Sequence, residues 1–481
     1  MRFVASPSDY FNKLKNADYV LYLLPSVSRS IISILLLVPI ITYYLEPEDI
    51  GLFALITAIV LPVKALASSG AQWVIGGNYH QIGIEQRGVM LFNILLFEVV
   101  LRTIFIGLYI VIIEPVMGLF FEGETAHYKD YFLVALLATW FNLLWSTVSF
   151  LMIVQRDALS YMVVSVIQII IQAIVTIFCL AYMGWGVESL FFAYLIVNFV
   201  SLLCEIYYVY NYLSVKISKR WVGEITKNGF RSIPGGFAEM VSNMVDKLAI
   251  QYWVNIGTLG FYSHSQQYQS IFKMFATSFK NTVSPISLEI YSKKQDEKKF
   301  TNILSLWYGC LCLVGVFVAL FSDDVISILT HGKFVESAPF VLVWYLLIYS
   351  ISFGIPYTQY LIANKHSRVL MYTQAIPTII GIGLIVGLTY LFGAMGAVWA
   401  AVIAHMIIQM TRFIIAYRLG CKSIASKPFV FSVMTYVVVC LTDYQWGLEW
   451  KIELPLVLIL SCIAIWKFRM LQNIKKILIL T

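Results

Sequence analysis

Eleven Lys, Arg, Asp and Glu side chains lie inside long apolar stretches of this 481-residue sequence. Seven are basic (Arg29, Lys64, Arg102, Lys247, Lys273, Lys280 and Arg412) and four are acidic (Glu98, Glu205, Glu239 and Asp246). A charge at the centre of a bilayer costs at least about 2.5–3.5 kcal/mol on insertion scales, so such residues face water, a partner or a ligand. Some are accounted for locally. Glu98 and Arg102 are four residues apart and are expected to pair on one helix face. Arg412 lies near the end of its stretch, within snorkelling reach of the interface. Glu205 has no evident partner in the sequence. What remains is a surplus of positive charge, and such a surplus favours an anion.

The surplus cations fall on polar stripes. Between 259 and 288, Tyr262, Gln266, Gln269, Lys273, Thr277, Lys280 and Ser284 recur in steps of three and four, which places them on one helix face. Thr57, Lys64, Ser68 and Gln72 repeat the spacing, as do Tyr22, Ser26, Arg29 and Ser33. Glu239, Asn243 and Asp246 form a fourth stripe with Lys247 beside them. Arg29, Lys64, Lys247, Lys273 and Lys280 are therefore the expected contacts for phosphate, whose charge guanidinium and ammonium groups neutralise. Gln266 and Gln269 are expected to meet sugar hydroxyls, and Asp246 and Glu239 to balance charge or carry a coupling proton. There is no HExxH, Walker or GxSxG pattern, so no catalytic, metal or cofactor site is expected. Gly381, Gly383 and Gly387 lie in an apolar span without a preceding strand and read as close helix-packing positions. The seven cysteines form no CxxC pair and read as small buried hydrophobes.

The elements that position these stripes are membrane helices. Apolar residues make up 60% of the chain and charged residues 12%, with a mean hydropathy of +0.81. A soluble chain carries about 45–50% and about 25% respectively. About 20 apolar residues cross a bilayer. On that scale there are fourteen candidate spans, near 20–44, 51–77, 89–113, 131–154, 160–183, 187–210, 232–255, 259–288, 302–321, 339–362, 369–392, 395–417, 428–442 and 454–468. The first 17 residues are polar, and the stretch after them is too long for a signal-peptide core, so it reads as a permanent span. With the N-terminus cytoplasmic, 23 basic residues fall in cytoplasmic segments, against Lys129, Lys333 and Lys451 outside. That bias places both termini inside. It also accounts for the net charge of +7 without nucleic acid.

The sequence repeats itself at a constant offset. Pro25 and Pro234, Gly51 and Gly260, Lys64 and Lys273, and Gly184 and Gly393 are all 209 apart, as are Gly123 and Gly332. Gln155-Arg156 matches Asn364-Lys365 at the same offset. Six spans per copy is an even number, so both copies enter the membrane in the same sense, as in parallel-repeat transporters. The expected organisation is an N-lobe at 1–215, a basic cytoplasmic linker at 216–231, a C-lobe at 232–420, and two extra helices with a cytoplasmic tail at 421–481. The stripes of the first two spans of each copy would then share a cationic cavity.

The run Leu45-Glu46-Pro47-Glu48-Asp49-Ile50-Gly51-Leu52-Phe53 resembles a pattern of polysaccharide flippases. So does Asp246-Lys247 followed by Ile256-Gly257-Thr258-Leu259-Gly260-Phe261-Tyr262-Ser263, with Asn281 and Pro285 beyond. The family is that of the Wzx-type O-antigen and capsule flippases, in the multidrug/oligosaccharidyl-lipid/polysaccharide exporter superfamily. The resemblance implies an all-α integral membrane fold of about fourteen helices, with two pseudo-symmetric six-helix lobes (MATE-like) plus two C-terminal helices. It implies transfer of an undecaprenyl-diphosphate-linked oligosaccharide from the cytoplasmic to the periplasmic leaflet of a bacterial inner membrane by alternating access. Membrane lipids, a polysaccharide polymerase and a chain-length regulator are the implied partners. Peptidoglycan-precursor flippases are a near alternative. Multidrug antiporters of the superfamily bind cations in acidic cavities, which the positive surplus here disfavours. A polymerase would need a large basic periplasmic loop, and every outside loop here is short.

Overall fold

The computed structural model describes residue 28 and residues 32–446, apart from 68–70, 80, 121–124, 143, 156, 293–297, 365 and 422–425. All regular structure among them is helical. Residues up to Gly260 form one compact unit and residues from Phe261 another.

The first unit contains α1 (Ser33–Tyr44), α2 (Pro47–Ala67), α3 (Ala71–Asn78), α4 (Ile84–Phe120), α5 (Thr125–Phe141), α6 (Trp145–Gln155), α7 (Ala158–Ile177), α8 (Glu188–Tyr210) and α9 (Lys219–Trp253). Helix α10 (Ile256–Ser292) starts at its end and runs on into the second unit. That unit adds α11 (Lys298–Thr330), α12 (Ala338–Ala363), α13 (Ser367–Arg418) and α14 (Ser426–Trp446). Among the described residues seven helices are long and apolar enough to cross a bilayer, so the chain is a multi-pass membrane protein. Of the expected spans, 454–468 lies outside the described residues, as do 20–27 and 29–31 of the span 20–44.

One expectation changes. The basic segment 216–231, read as a linker, is helical from Lys219 and continuous with the span that follows. Trp221 and Ile225, one turn apart, are buried in the core of the first unit, and that apolar pair anchors the helix start. Asn93 fixes its approach, donating to the Lys216 carbonyl at 2.7 Å and accepting from the Ser218 amide at 2.9 Å. The expected spans 369–392 and 395–417 are the two segments of α13, and Gly393 breaks the helical backbone between them at φ 62°. Its counterpart 209 residues earlier, Gly184, has φ 65° just past the π-helical turn Phe178–Tyr182 that continues α7. Glycine holds that left-handed backbone without a Cβ penalty.

The starts of α2 and α10 show a closer correspondence. At the first, the Asp49 carboxylate accepts from the Glu46 amide at 3.0 Å; at the second, the Asn255 side chain accepts from the Thr258 amide at 2.7 Å. These are the two halves of a capping box, on residues again 209 apart. The helices meet through glycine. A Cβ on Gly51 would lie 2.1 Å from the Ile256 carbonyl oxygen, and one on Gly260 would lie 1.9 Å from that of Pro47. Adding 209 to 47 and 51 gives 256 and 260, so the contact maps onto itself.

In the second unit, α14 is clasped by hydroxyls. Tyr436 donates to the Leu342 carbonyl at 2.7 Å, and Ser432 donates to that of Tyr308 at 2.9 Å. Tyr345 donates to the Leu311 carbonyl at 2.7 Å. Each buried phenol thus places an apolar ring in the core while its polar tip finds a partner.

Candidate functional site

Arg29 and the side chains of Lys64 and Glu239 lie outside the described residues; the Lys64 and Glu239 backbones are on α2 and α9. Asp246 and Lys247 are both buried on α9. The Lys247 ammonium is 3.5 Å from the Asp246 carboxylate and donates to the Asn243 carbonyl at 3.1 Å. The Lys247 ammonium thus lies beside an acidic neighbour on the same helix.

The stripe on α10 divides in two. Lys273, Thr277 and Lys280 are exposed on one helix face, at spacings of four and three. Tyr262 is fully buried against Phe340 and Trp344. Gln269 is also buried, Gln266 is half-buried, and Ser284 donates to Gln359 at 3.0 Å. Tyr262 thus leaves the hydrophilic face: its ring adds apolar area to the core of its unit, which outweighs presenting one hydroxyl.

Arg412 has hydrogen-bond partners that the sequence did not indicate. Its guanidinium reaches Gln374 Oε1 at 2.9 Å, Thr373 Oγ1 at 3.3 Å and Thr358 Oγ1 at 3.5 Å. All three partners are neutral oxygens. Seven residues earlier on the same face of α13, His405 is half-buried, and its Nδ1 atom is buried with no hydrogen-bond partner among the described residues. Lys273 and Arg412 both lie within electrostatic reach of His405. Residue types, without burial, gave His405 no prominence; the signal available was the step His405, Gln409, Arg412 (i, i+4, i+7) in an otherwise apolar span.

In the first unit, Glu98 and Arg102 are both fully buried, and Glu205 joins them. Arg102 feels Glu98 first and Glu205 second, and donates to the Thr139 carbonyl at 3.3 Å. Thr147 lies 2.8 Å from both Glu98 oxygens, while Gln168 donates to Ser201 and Ser201 to Glu205. Glu205, unassigned in the sequence, belongs to a buried charge network on α4 and α8. Such a network is a structural element of the unit and presents no open face to a ligand.

The fold has solved relatives. It is similar to the lipid II flippase MurJ in an inward closed conformation, with a TM-score of 0.68, 13% identity, and coverage of 97% of this chain and 99% of that one. It is similar to an inward-facing multidrug resistance MATE family transporter of the MOP superfamily, with a TM-score of 0.63, 14% identity, and coverage of 87% and 98%. The Vibrio cholerae MATE transporter VcmN gives a TM-score of 0.55 at 10% identity, over 85% and 96% of the two chains. No curated protein matches the sequence. A family described as polysaccharide biosynthesis protein matches residues 40–339. That match spans more than half of the chain, and with the MATE-like, all-helical architecture around it, this chain belongs to the polysaccharide biosynthesis protein family.

Proposed function

We propose that the protein is a flippase that moves an undecaprenyl-diphosphate-linked oligosaccharide, an O-antigen or capsule repeat unit, from the cytoplasmic to the periplasmic leaflet by alternating access. One observation carries the reading. From residue 261 onward the expected spans 259–288, 302–321, 339–362, 369–392, 395–417 and 428–442 hold Lys273, Lys280 and Arg412 and no Asp or Glu; the acids of the same helices, Glu289, Asp323, Asp324 and Asp443, lie toward the helix ends. A half with fixed positive charge and no carboxylate at that depth favours a phosphorylated substrate over a cation. Family membership supplies the polysaccharide context.

The protein acts in this reading in the bacterial inner membrane with both termini cytoplasmic, in two lobes at 1–215 and 232–420. Its partners are membrane lipids and, downstream, a polymerase and a chain-length regulator. Arg29, Lys64 and Lys273 hold the diphosphate, with Lys280 beside Lys273. Gln266 meets sugar hydroxyls, and Asp246 and Glu239 balance charge or carry a coupling proton. The likeness to a lipid II flippase favours a second reading, in which the cargo is a peptidoglycan precursor. Lys273→Ala is expected to abolish surface glycan while leaving the protein in the membrane. Normal glycan display by that variant, in a strain lacking its own flippase, would refute the assignment.

A further inference from the structure

We propose that residues 210–220 form a docking site for anionic phospholipid at the membrane boundary. Tyr210, Val215 and Ile217 enter the acyl-chain edge, while Lys216, Lys219 and Arg220 hold headgroup phosphates. The site lies wholly in the first unit and does not depend on the identity of the cargo.

The main chain fixes its depth. After α8 ends at Tyr210, residues 211–218 are not helical. A Cβ on Gly88 would lie 2.7 Å from the Tyr212 carbonyl oxygen and 3.1 Å from the Ser214 amide nitrogen, so the backbone there rests directly on α4. Farther along α4, Asn93 holds the Lys216 carbonyl and the Ser218 amide. Both anchors belong to the candidate span Ile84–Val111. At about 1.5 Å per residue they are about 7–8 Å apart along the helix. Interfacial segments bury their apolar side to a similar depth, about 5–10 Å.

The side chains left outward are apolar and basic. Leu213 packs against the core of the unit, but Val215 is 81% exposed and Ile217 72%. A held backbone that presents two aliphatic side chains so fully is unfavourable in water and favourable at the edge of the acyl chains. The outward stripe of α8 leads into them, since Leu203, Ile206 and Tyr210 are exposed at steps of three and four. Tyrosine is also the residue enriched where a span leaves the bilayer.

Charge selects the headgroup. Residues 206–231 carry five basic residues against one acid, Glu224. Lys216 and Lys219 are exposed. The Arg220 side chain is 60% exposed, although it lies over the Trp221 ring and 3.7 Å from Glu224. Lysine here can lay its stem along apolar surface and keep its ammonium in the headgroup layer. Each basic residue beside a span raises affinity for anionic lipid about fivefold.

The test is lipid retention by the purified full-length protein in neutral detergent. It is titrated with phosphatidylglycerol or phosphatidylcholine, and bound lipid is counted by native mass spectrometry. The parent should prefer phosphatidylglycerol. Lys216→Gln with Lys219→Gln is expected to weaken phosphatidylglycerol by about tenfold or more and leave phosphatidylcholine unchanged. Val215→Ser with Ile217→Ser should weaken both lipids alike, because it removes the apolar part of the site. Arg368→Gln with Arg418→Gln, an exposed pair elsewhere, removes the same charge and should bind like the parent.

The site is refuted if the lysine pair binds phosphatidylglycerol like the parent. It is equally refuted if the arginine pair loses as much as the lysine pair, since affinity would then follow net charge alone. The four substituted positions from 215 to 219 are exposed, and size-exclusion checks that the variants are folded. Should the serine pair misfold, the comparison of the lysine and arginine pairs decides by itself.

Discussion

Replacing Arg102 with methionine tests whether the buried network of the first unit holds its charges together. Arg102, Glu98 and Glu205 are each 0% exposed, so no water is available to take over when one charge is removed. In the parent, one guanidinium faces two carboxylates, and the hydroxyls of Thr147 and Ser201 supply further donors to them. Methionine keeps much of the volume but leaves both acids buried without their cation. Breaking a buried ion pair from one side costs about 3–5 kcal/mol. At roughly 2–4 °C per kcal/mol for a unit of 150–250 residues, the expected fall in unfolding temperature is about 6–20 °C. The assay is thermal unfolding of the detergent-solubilised protein, followed by size-exclusion of the surviving fraction. Glu98→Gln added to Arg102→Met should recover part of the loss, with a coupling of about 0.5–3 kcal/mol. A fall below about 2 °C for Arg102→Met, or strict additivity in the double variant, would show that these charges do not depend on one another.

Gly51→Ala or Gly260→Ala should lower stability by about 1–3 kcal/mol or more, since the added methyl meets main chain; loss of folded protein on size-exclusion reports it. Tyr436→Phe should cost about 1 kcal/mol by leaving the Leu342 carbonyl without its donor, read as a small fall in unfolding temperature without loss of glycan display. Lys247→Glu should impair glycan display more than Lys247→Gln, because a second carboxylate would then sit beside Asp246; equal effects would remove the electrostatic explanation. Trp221→Ala should cost about 3–5 kcal/mol by emptying a core position, and proteolysis around residues 216–231 would reveal the detached helix start.

Helical class, span positions and the offset of 209 were legible because apolar length and glycine or proline punctuation are local properties of the chain. The paired helix starts at 46–51 and 255–260 carry their capping residues openly, so their likeness is readable before any packing is known. What escaped was tertiary. Tyr262 and Gln269 share the period of Lys273 on α10, and only the neighbouring Phe340 and Trp344 decide that Tyr262 turns inward. Arg412 carries no sequence mark of its partners Thr358, Thr373 and Gln374, which neighbouring stretches of the fold bring to it. Lys247 looked available because spacing alone does not reveal the rotamer that brings its ammonium back to Asp246. The segment 216–231 looked like a loop because its charges mask the one-turn repeat of Trp221 and Ile225.

At the crossing of α2 and α10, the obstacle a methyl would meet is a peptide oxygen, and every residue type carries one. A variant enlarged at position 51 therefore has no remedy in trimming position 256, and one enlarged at 260 none in changing position 47. A selection for revertants of Gly51→Ala should return glycine itself, or changes elsewhere that draw the two helices apart, and no compensating exchange at the opposing residue. The crossing is thus insulated from the ordinary give-and-take by which packed side chains drift together.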